Sequence, residues 1–326
     1  MAYSDALLCG CGVAPEKFPQ LVKCTDVMGT LRPEVAGELG LRADVAVVAG
    51  AIDTSAAAVG SGAVRDYAAH LYIGTSSWLA AHVPFKKTDI ISSLASVPCA
   101  IPGRYLLIAL QATAGGNLTF LRDKILYHKD ELLQEERVPD VYKIMDRIAE
   151  RTPAGSHGVL YTPWIYGERA PAEDATVRAA IYNLSLENSR EDIIRAVLEG
   201  VAFNTRWLLR PFEKFLGRAL DCINIVGGGA ASDVWCQIFA DVLNRPVRQV
   251  ADPIQANVRG AAFIAAVGLG IISYDDVPER TEYRREYHPT AAHRDIYDAQ
   301  FKEFVNIYRQ NKGIYRRLNG RRAQFH

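Results

Sequence analysis

Short apolar runs alternate with helical periodicities along most of this chain. Residues 43–50 (ADVAVVAG) form a strand-like run ending in Gly50, with Asp53 three residues on and a helix of small residues (Ala56, Ala57, Ala58, Gly60) behind it. Three more runs, 70–73, 78–83 and 105–111, are separated by polar or Pro/Gly segments and read as strands of an antiparallel meander. Residues 114–127 then read as a helix whose first turn is Ala-Gly-Gly-Asn. The clearest helix covers 190–209, where Ile193, Ile194, Val197, Leu198 and Val201 recur at three- and four-residue spacing behind Ser189, a natural N-cap. A buried strand at 222–226 runs into Gly227-Gly228-Gly229, followed by a helix (232–243), a strand (246–250) and an apolar helix (257–269). This alternation predicts an α/β fold. After Gly270 the chain turns polar and basic, with Arg284, Arg285, Arg316, Arg317, Arg321 and Arg322. A helical pattern at 295–308 (Ile296, Phe301, Phe304, Val305, Tyr308) can pack on the core, and the charged remainder reads as a solvated tail.

Composition narrows the classes. The chain has 326 residues, 49% hydrophobic and 23% charged, which excludes a mainly disordered protein and suits one large or two smaller domains. No run approaches the roughly 18 uninterrupted apolar residues of a membrane span, and residues 1–17 lack the basic and apolar regions of a secretory signal. Basic and acidic groups number 37 each, which argues against a nucleic-acid-binding surface. Six scattered cysteines (Cys9, Cys11, Cys24, Cys99, Cys222, Cys236) read as reduced thiols in a cytoplasmic chain. Cys9 and Cys11 form a lone C-x-C, short of the four clustered ligands of a structural zinc site, so no metal is expected there.

Four segments carry candidate chemistry. Asp53 sits between a strand end and a helix start, the edge where α/β folds bind ligands, and an ionised Asp there can accept a proton from a substrate hydroxyl. Taken alone, a plain N-cap Asp fits the same pattern. Gly74-Thr75-Ser76-Ser77 joins two expected strands and offers backbone N–H groups and hydroxyls to an anion, although an ordinary hairpin turn has the same composition. Gly227-Gly228-Gly229-Ala230-Ala231-Ser232 lets a flat ring or a phosphate approach the backbone, or serves only as a tight strand–helix turn. It is neither a G-x-G-x-x-G nor a Walker loop, and no acidic residue follows at the spacing a dinucleotide ribose needs. Gly167-Glu168-Arg169-Ala170-Pro171 with Asp174 and Arg178 is a dense polar loop that, in isolation, reads as structural.

In order, these segments resemble the FGGY family of carbohydrate kinases from about residue 19 to 269. The most specific stretch is Gly167-Glu-Arg-Ala-Pro, Asp174, Arg178 and Arg195-Ala-Val-Leu-Glu-Gly-Val-Ala-Phe. Residues 48–64 and 70–80 look most similar to xylulokinase-like members. The resemblance implies a ribonuclease-H-like fold of the actin-like ATPase and sugar kinase type. Residues 1–65 would be the end of a first domain, 66–272 the nucleotide-binding second domain, and 273–326 a helix and polar tail. It further implies phosphoryl transfer from ATP, with Mg2+, to a sugar hydroxyl, most naturally of a pentulose such as xylulose. Asp53 would be the general base; Gly74, Thr75 and Ser76 would hold the phosphates, flanked by Gly115; Gly228, Gly229 and Ser232 would line the adenine side. The family's opening Asp-x-Gly-Thr phosphate loop and sugar-binding domain are not in this sequence. Two readings therefore stand: the C-terminal, mainly ATP-binding portion of a sugar kinase, working with an N-terminal kinase half or as a homodimer, and a non-catalytic nucleotide-binding fragment or interaction module of a truncated or split kinase. Asn183, Gln255 and Arg259 depart from the family's usual residues, which bears on fine nucleotide contacts.

Overall fold

The computed structural model describes residues 3–126 and 140–320. Its first stretch holds helix α1 (Asp5–Gly10), strand β1 (Val27–Thr30), helix α2 (Pro33–Leu39), strand β2 (Ala46–Val48) and helix α3 (Asp53–Gly60). β2 and α3 are the strand and small-residue helix expected there. β2 does not stand alone, however: β1 runs antiparallel to it, with Val27 opposite Val48. All four β1 residues are exposed, so the alternation that marks a half-buried strand is missing from Val-Met-Gly-Thr.

The second stretch is built on one large sheet. It comprises β3 (Ala69–Ile73), β4 (Ser77–Val83), β5 (Thr88–Asp89), β6 (Leu94–Pro98) and β7 (Tyr105–Gln111), then helix α4 (Gly115–Phe120), which continues as a π-helical turn over Leu121–Leu126. The expected helix at 114–127 matches this pair as far as 126; Tyr127 lies outside the described residues. Next come α5 (Val141–Arg151), β8 (Leu160–Thr162), β9 (Ala180–Tyr182), α6 (Arg190–Leu216), β10 (Ile223–Val226), α7 (Asp233–Leu243), β11 (Val247–Val250) and α8 (Ala256–Gly268). Short helix α9 (Val277–Arg280), strand β12 (Tyr283–Tyr287) and helix α10 (Arg294–Asn319) complete the order. Eight strands form the sheet β12-β11-β10-β3-β4-β7-β6-β5, in which β3, β10 and β11 are parallel and the other pairings antiparallel. β8 and β9 pair separately.

Three differences from the sequence expectation have physical causes. The 190–209 helix continues through Pro211 to Leu216, because Phe212, Phe215 and Leu216 are buried and their packing outweighs the lost amide. Its start is as expected: Ser189 and Asp192 form a reciprocal capping box. The polar stretch after 270 is no solvated tail over its described part. β12 pairs with β11, and α10 buries Tyr297, Phe304 and Tyr315 against the core. Third, α5 forms between the expected helices at 114–127 and 190–209, where no element is expected, because Met145, Ile148 and Ala149 give it a buried face.

α3 packs on the second stretch. Ala57 and Ala58 meet Trp78, Ala80 and Leu106 on the sheet face. On its other side α3 crosses α8 so closely that a Cβ on Gly60 would lie 1.8 Å from the Ala256 carbonyl oxygen, and one on Gly260 equally near the Ala56 oxygen. Only glycines allow that approach. Arg259 locks the crossing by donating from Nε to the Gly60 carbonyl (2.9 Å) and from Nη1 to the Ala251 carbonyl (3.0 Å).

Candidate functional site

A cavity of about 480 Å³ opens where β3 and β10 end. Both strands run parallel, so the segments leaving their C-terminal ends converge there, the usual ligand edge of an α/β sheet. Gly74 and Thr75 come from the β3–β4 turn, Gly115 from the start of α4, and Gly228, Gly229 and Ser232 from the β10–α7 connection. Six of the seven residues assigned to nucleotide by resemblance thus line one space. The seventh, Ser76, lies on the same turn but is not among the lining residues.

The turn is held from below. Ala114 and Gly116 donate their N–H groups to the Thr75 carbonyl (2.8 and 3.1 Å), and Gly115 donates to the Gly74 carbonyl (2.8 Å). Those amides are spent on the turn and are not available to a ligand. Gly115 therefore shapes the phosphate-turn candidate: a Cβ there would sit 2.6 Å from the Gly74 oxygen. The glycine triplet divides in the same way. Gly227 has φ +92° and presses on the β3 backbone, and a Cβ on Gly229 would strike Ile73 and Trp235. Gly228 has nothing within 4 Å of its Cβ position and faces open space.

Ser232 links two helices. Its Oγ accepts the Trp235 N–H (3.2 Å) as the N-cap of α7 and donates to Oδ1 of Asp146 on α5 (2.7 Å). Burial pushes the Asp146 carboxyl above its ordinary value, and the Ser232 hydrogen bond opposes that shift; Asp140, Asp233 and Glu150 add like charge in the raising direction. Asp146 lines the cavity with Tyr142, Lys143 and Met145 of the same helix. The sequence reading missed this whole wall. The signal was present: Val141, Ile144, Met145 and Ile148 repeat at helical spacing. Leu118, Leu198, Ala231, Trp235 and Ile254 supply the rest of the apolar lining.

Asp53 stands elsewhere. It is the first residue of α3, exposed, and outside the cavity lining. It is not the N-cap, which is Ile52; its Oδ1 accepts the N–H of Thr54 at 2.7 Å.

Glu168, from the polar loop, is buried beneath the site. It accepts N–H groups from Ala112 (2.9 Å) and Arg169 (2.8 Å), and Asn204 donates to its other oxygen. Burial raises its carboxyl to about 7 against the pull of those three donors. Ala112 opens the link from β7 to α4, so Glu168 anchors the segment that carries Gly115 to Gly74.

The description "FGGY family of carbohydrate kinases, C-terminal domain" matches residues 69–269, and the family's N-terminal domain matches residues 1–60. The chain belongs to the FGGY family of carbohydrate kinases. A xylulose kinase of Staphylococcus epidermidis is 29% identical over 300 residues, covering 91% of this chain and 58% of that protein. A gluconokinase of Bacillus subtilis is 26% identical over 310 residues, covering 94% and 60%. The chain therefore spans about three fifths of these relatives. Among solved structures, a xylulose kinase from Lactobacillus acidophilus superposes with a TM-score of 0.83 at 24% identity, covering 97% of this chain and 62% of that one. One from Brucella ovis gives 0.83 at 26% identity, covering 96% and 62%. The FGGY fold thus extends over nearly the whole chain, including the strand and helix after residue 270. Among the described residues, no helix is long and apolar enough to cross a membrane.

Proposed function

We propose that this chain forms the nucleotide-binding side of an ATP-dependent sugar kinase that phosphorylates a pentulose such as xylulose. The observation that carries this reading is the convergence of Gly74–Thr75, Gly115 and Gly228–Ser232 on one cavity at the ends of two parallel strands. The β3–β4 turn would hold the phosphates through Thr75 and Ser76, and open Gly228 would admit the flat base. Mg2+ would be held mainly by the triphosphate and water, since the turn offers hydroxyls and no carboxylate, and it would neutralise phosphate charge. Asp53 would take the proton of the attacking sugar hydroxyl. Its exposure at a helix start, outside the nucleotide cavity, suits a base that meets a second substrate. Residues 1–65 would belong to the first kinase domain, 66–272 to the second, and 273–326 would follow it.

A second reading is favoured by Val27, Met28, Leu39, Leu41, Val47 and Ile52, all apolar and exposed on or near the β1–β2 pair. In that reading the chain is a nucleotide-binding module whose sugar site is completed by an N-terminal kinase half or a second copy.

The test measures ADP binding and D-xylulose phosphorylation by the purified chain, alone and with a complementary N-terminal fragment. ADP binding without turnover, and turnover on complementation, is the expected result. Asp53→Asn in the complemented enzyme should lower kcat about a hundred-fold or more while leaving stability within about 1 kcal/mol. Robust turnover by the chain alone would sink the split assignment, and full activity of the Asn variant would remove Asp53 from the chemistry.

A further inference from the structure

We infer that Asp146 selects the base of the bound nucleotide, accepting the exocyclic amino group of adenine and rejecting purines that lack it. The inference rests on the nucleotide reading of the cavity and deepens it.

Asp146 lies among apolar neighbours: Met145, Leu198, Trp235 and Ile254 line the same space. Those surfaces suit a flat aromatic ring, and a small number of placed polar groups then fixes its orientation. Among the described residues, the carboxylate has one hydrogen-bond partner, the Ser232 hydroxyl at Oδ1, and no cation pairs with it. Oδ2 accepts no hydrogen bond from the described residues, on a side chain that lines the cavity. A half-buried carboxylate with a single donor is under-satisfied, which matches the upward push that burial and nearby acids exert on it. A ligand donor would relieve that condition.

The group at position 6 decides the base. Adenine offers an exocyclic amino group there, which Oδ2 can accept. A purine without that group offers no donor, and guanine in the same pose presents a carbonyl oxygen, so that lone pairs would face each other. Ser232 acts as a positioning residue: as N-cap of α7 it is fixed in place, and its hydrogen bond to Oδ1 orients the Asp146 carboxyl.

Calorimetric titration of the chain with ADP, GDP and purine riboside 5′-diphosphate tests this, the last being ADP without its amino group. The wild type should bind ADP at least tenfold more tightly than either competitor, in line with sites built around one hydrogen bond. Asp146→Asn keeps the shape and the Ser232 contact while presenting an N–H to the base. It should bring ADP and purine riboside diphosphate to within about twofold of each other and improve GDP relative to ADP. Asp146→Ala should likewise erase the difference between ADP and purine riboside diphosphate. A purely structural role would weaken all three ligands together and leave their ratios intact, and that outcome overturns the inference. Failure of the wild type to bind any of the three overturns the nucleotide reading and this inference with it. ADP binding with unchanged ratios in the variants refutes the role of Asp146 alone.

Discussion

The α3–α8 crossing permits a prediction of both sign and size. In Gly260→Ala the new Cβ would sit 1.8 Å from the Ala56 oxygen, 2.6 Å from its carbon and 2.9 Å from the Gly60 nitrogen. Real Cβ atoms essentially never come within 3.0 Å of another heavy atom, so the helices must part by about 1.2 Å. Both sides are backbone, and neither can rotate away as a side chain would. Overpacking of this kind costs about 1–3 kcal/mol and occasionally more, while exchanging Gly for Ala inside a helix returns about 1 kcal/mol. A rigid contact belongs at or above the top of that range, so the net loss should be about 2 kcal/mol or more. The matched control is Gly37→Ala in α2, where nothing lies within 4 Å of the Cβ position. That change should stabilise by about 0.5–1 kcal/mol. Urea denaturation reads the two signs, and hydrogen exchange over 53–60 reads whether α3 detaches first. A Gly260→Ala protein as stable as wild type would show that the helices do not cross this closely.

Two further outcomes follow from buried titratable groups. His70 accepts the Trp78 indole N–H at 3.2 Å and His82 contacts the Ala63 carbonyl at 2.7 Å, while burial lowers their values to about 3 and about 4. Each is neutral when folded and charges more readily when unfolded, so their contribution is complete above about pH 6.5 and is lost as the pH falls toward 4. By pH 5 each should cost about 2 kcal/mol, measured by urea denaturation at pH 7.5 and 5 against His70→Gln/His82→Asn, which should flatten that loss. Glu168, raised to about 7, works in the opposite sense, since the stability it contributes is lost as the pH rises from about 4.5 through 7. Glu168→Gln should destabilise by about 1–3 kcal/mol by setting an amide N–H against Asn204, and Asn204→Asp in the same chain should recover much of it. A double variant no more stable than the single one would refute the hydrogen-bond account.

How much of this was legible depended on whether burial left a pattern. β3, β4, β7 and β10 are mostly apolar runs with most residues buried, and β11 (Val-Arg-Gln-Val) is flagged by its place between two helices, so their positions read directly from the sequence. β12 is Tyr-Arg-Arg-Glu-Tyr at the sheet edge, where only Tyr287 is buried, so its composition imitates a solvated tail. β1 is wholly exposed and leaves no alternation. Gly74, Gly115 and Gly229 were visible because close approach demands glycine, and Gly228 because it stands in the same Gly-Gly-Gly run. Asp146 was not. A single Asp on a helix becomes part of a site only when that helix crosses another in space, and no spacing along the chain records the Ser232 hydroxyl that meets it.

The edge pairing of β12 on β11 also bears on how the chain is made. On a ribosome adding about 5–20 residues per second, β11 is finished while α8, α9 and β12 are still to come. For about a few seconds the growing sheet ends in an uncovered parallel strand, beside a core that still lacks Tyr297, Phe304 and Tyr315 of α10. Unpaired strand edges attract other strands. The nascent chain therefore passes through its most adhesive state late, when nearly all of its apolar surface has already been made. A stall or truncation between β11 and β12 would hold it in that state.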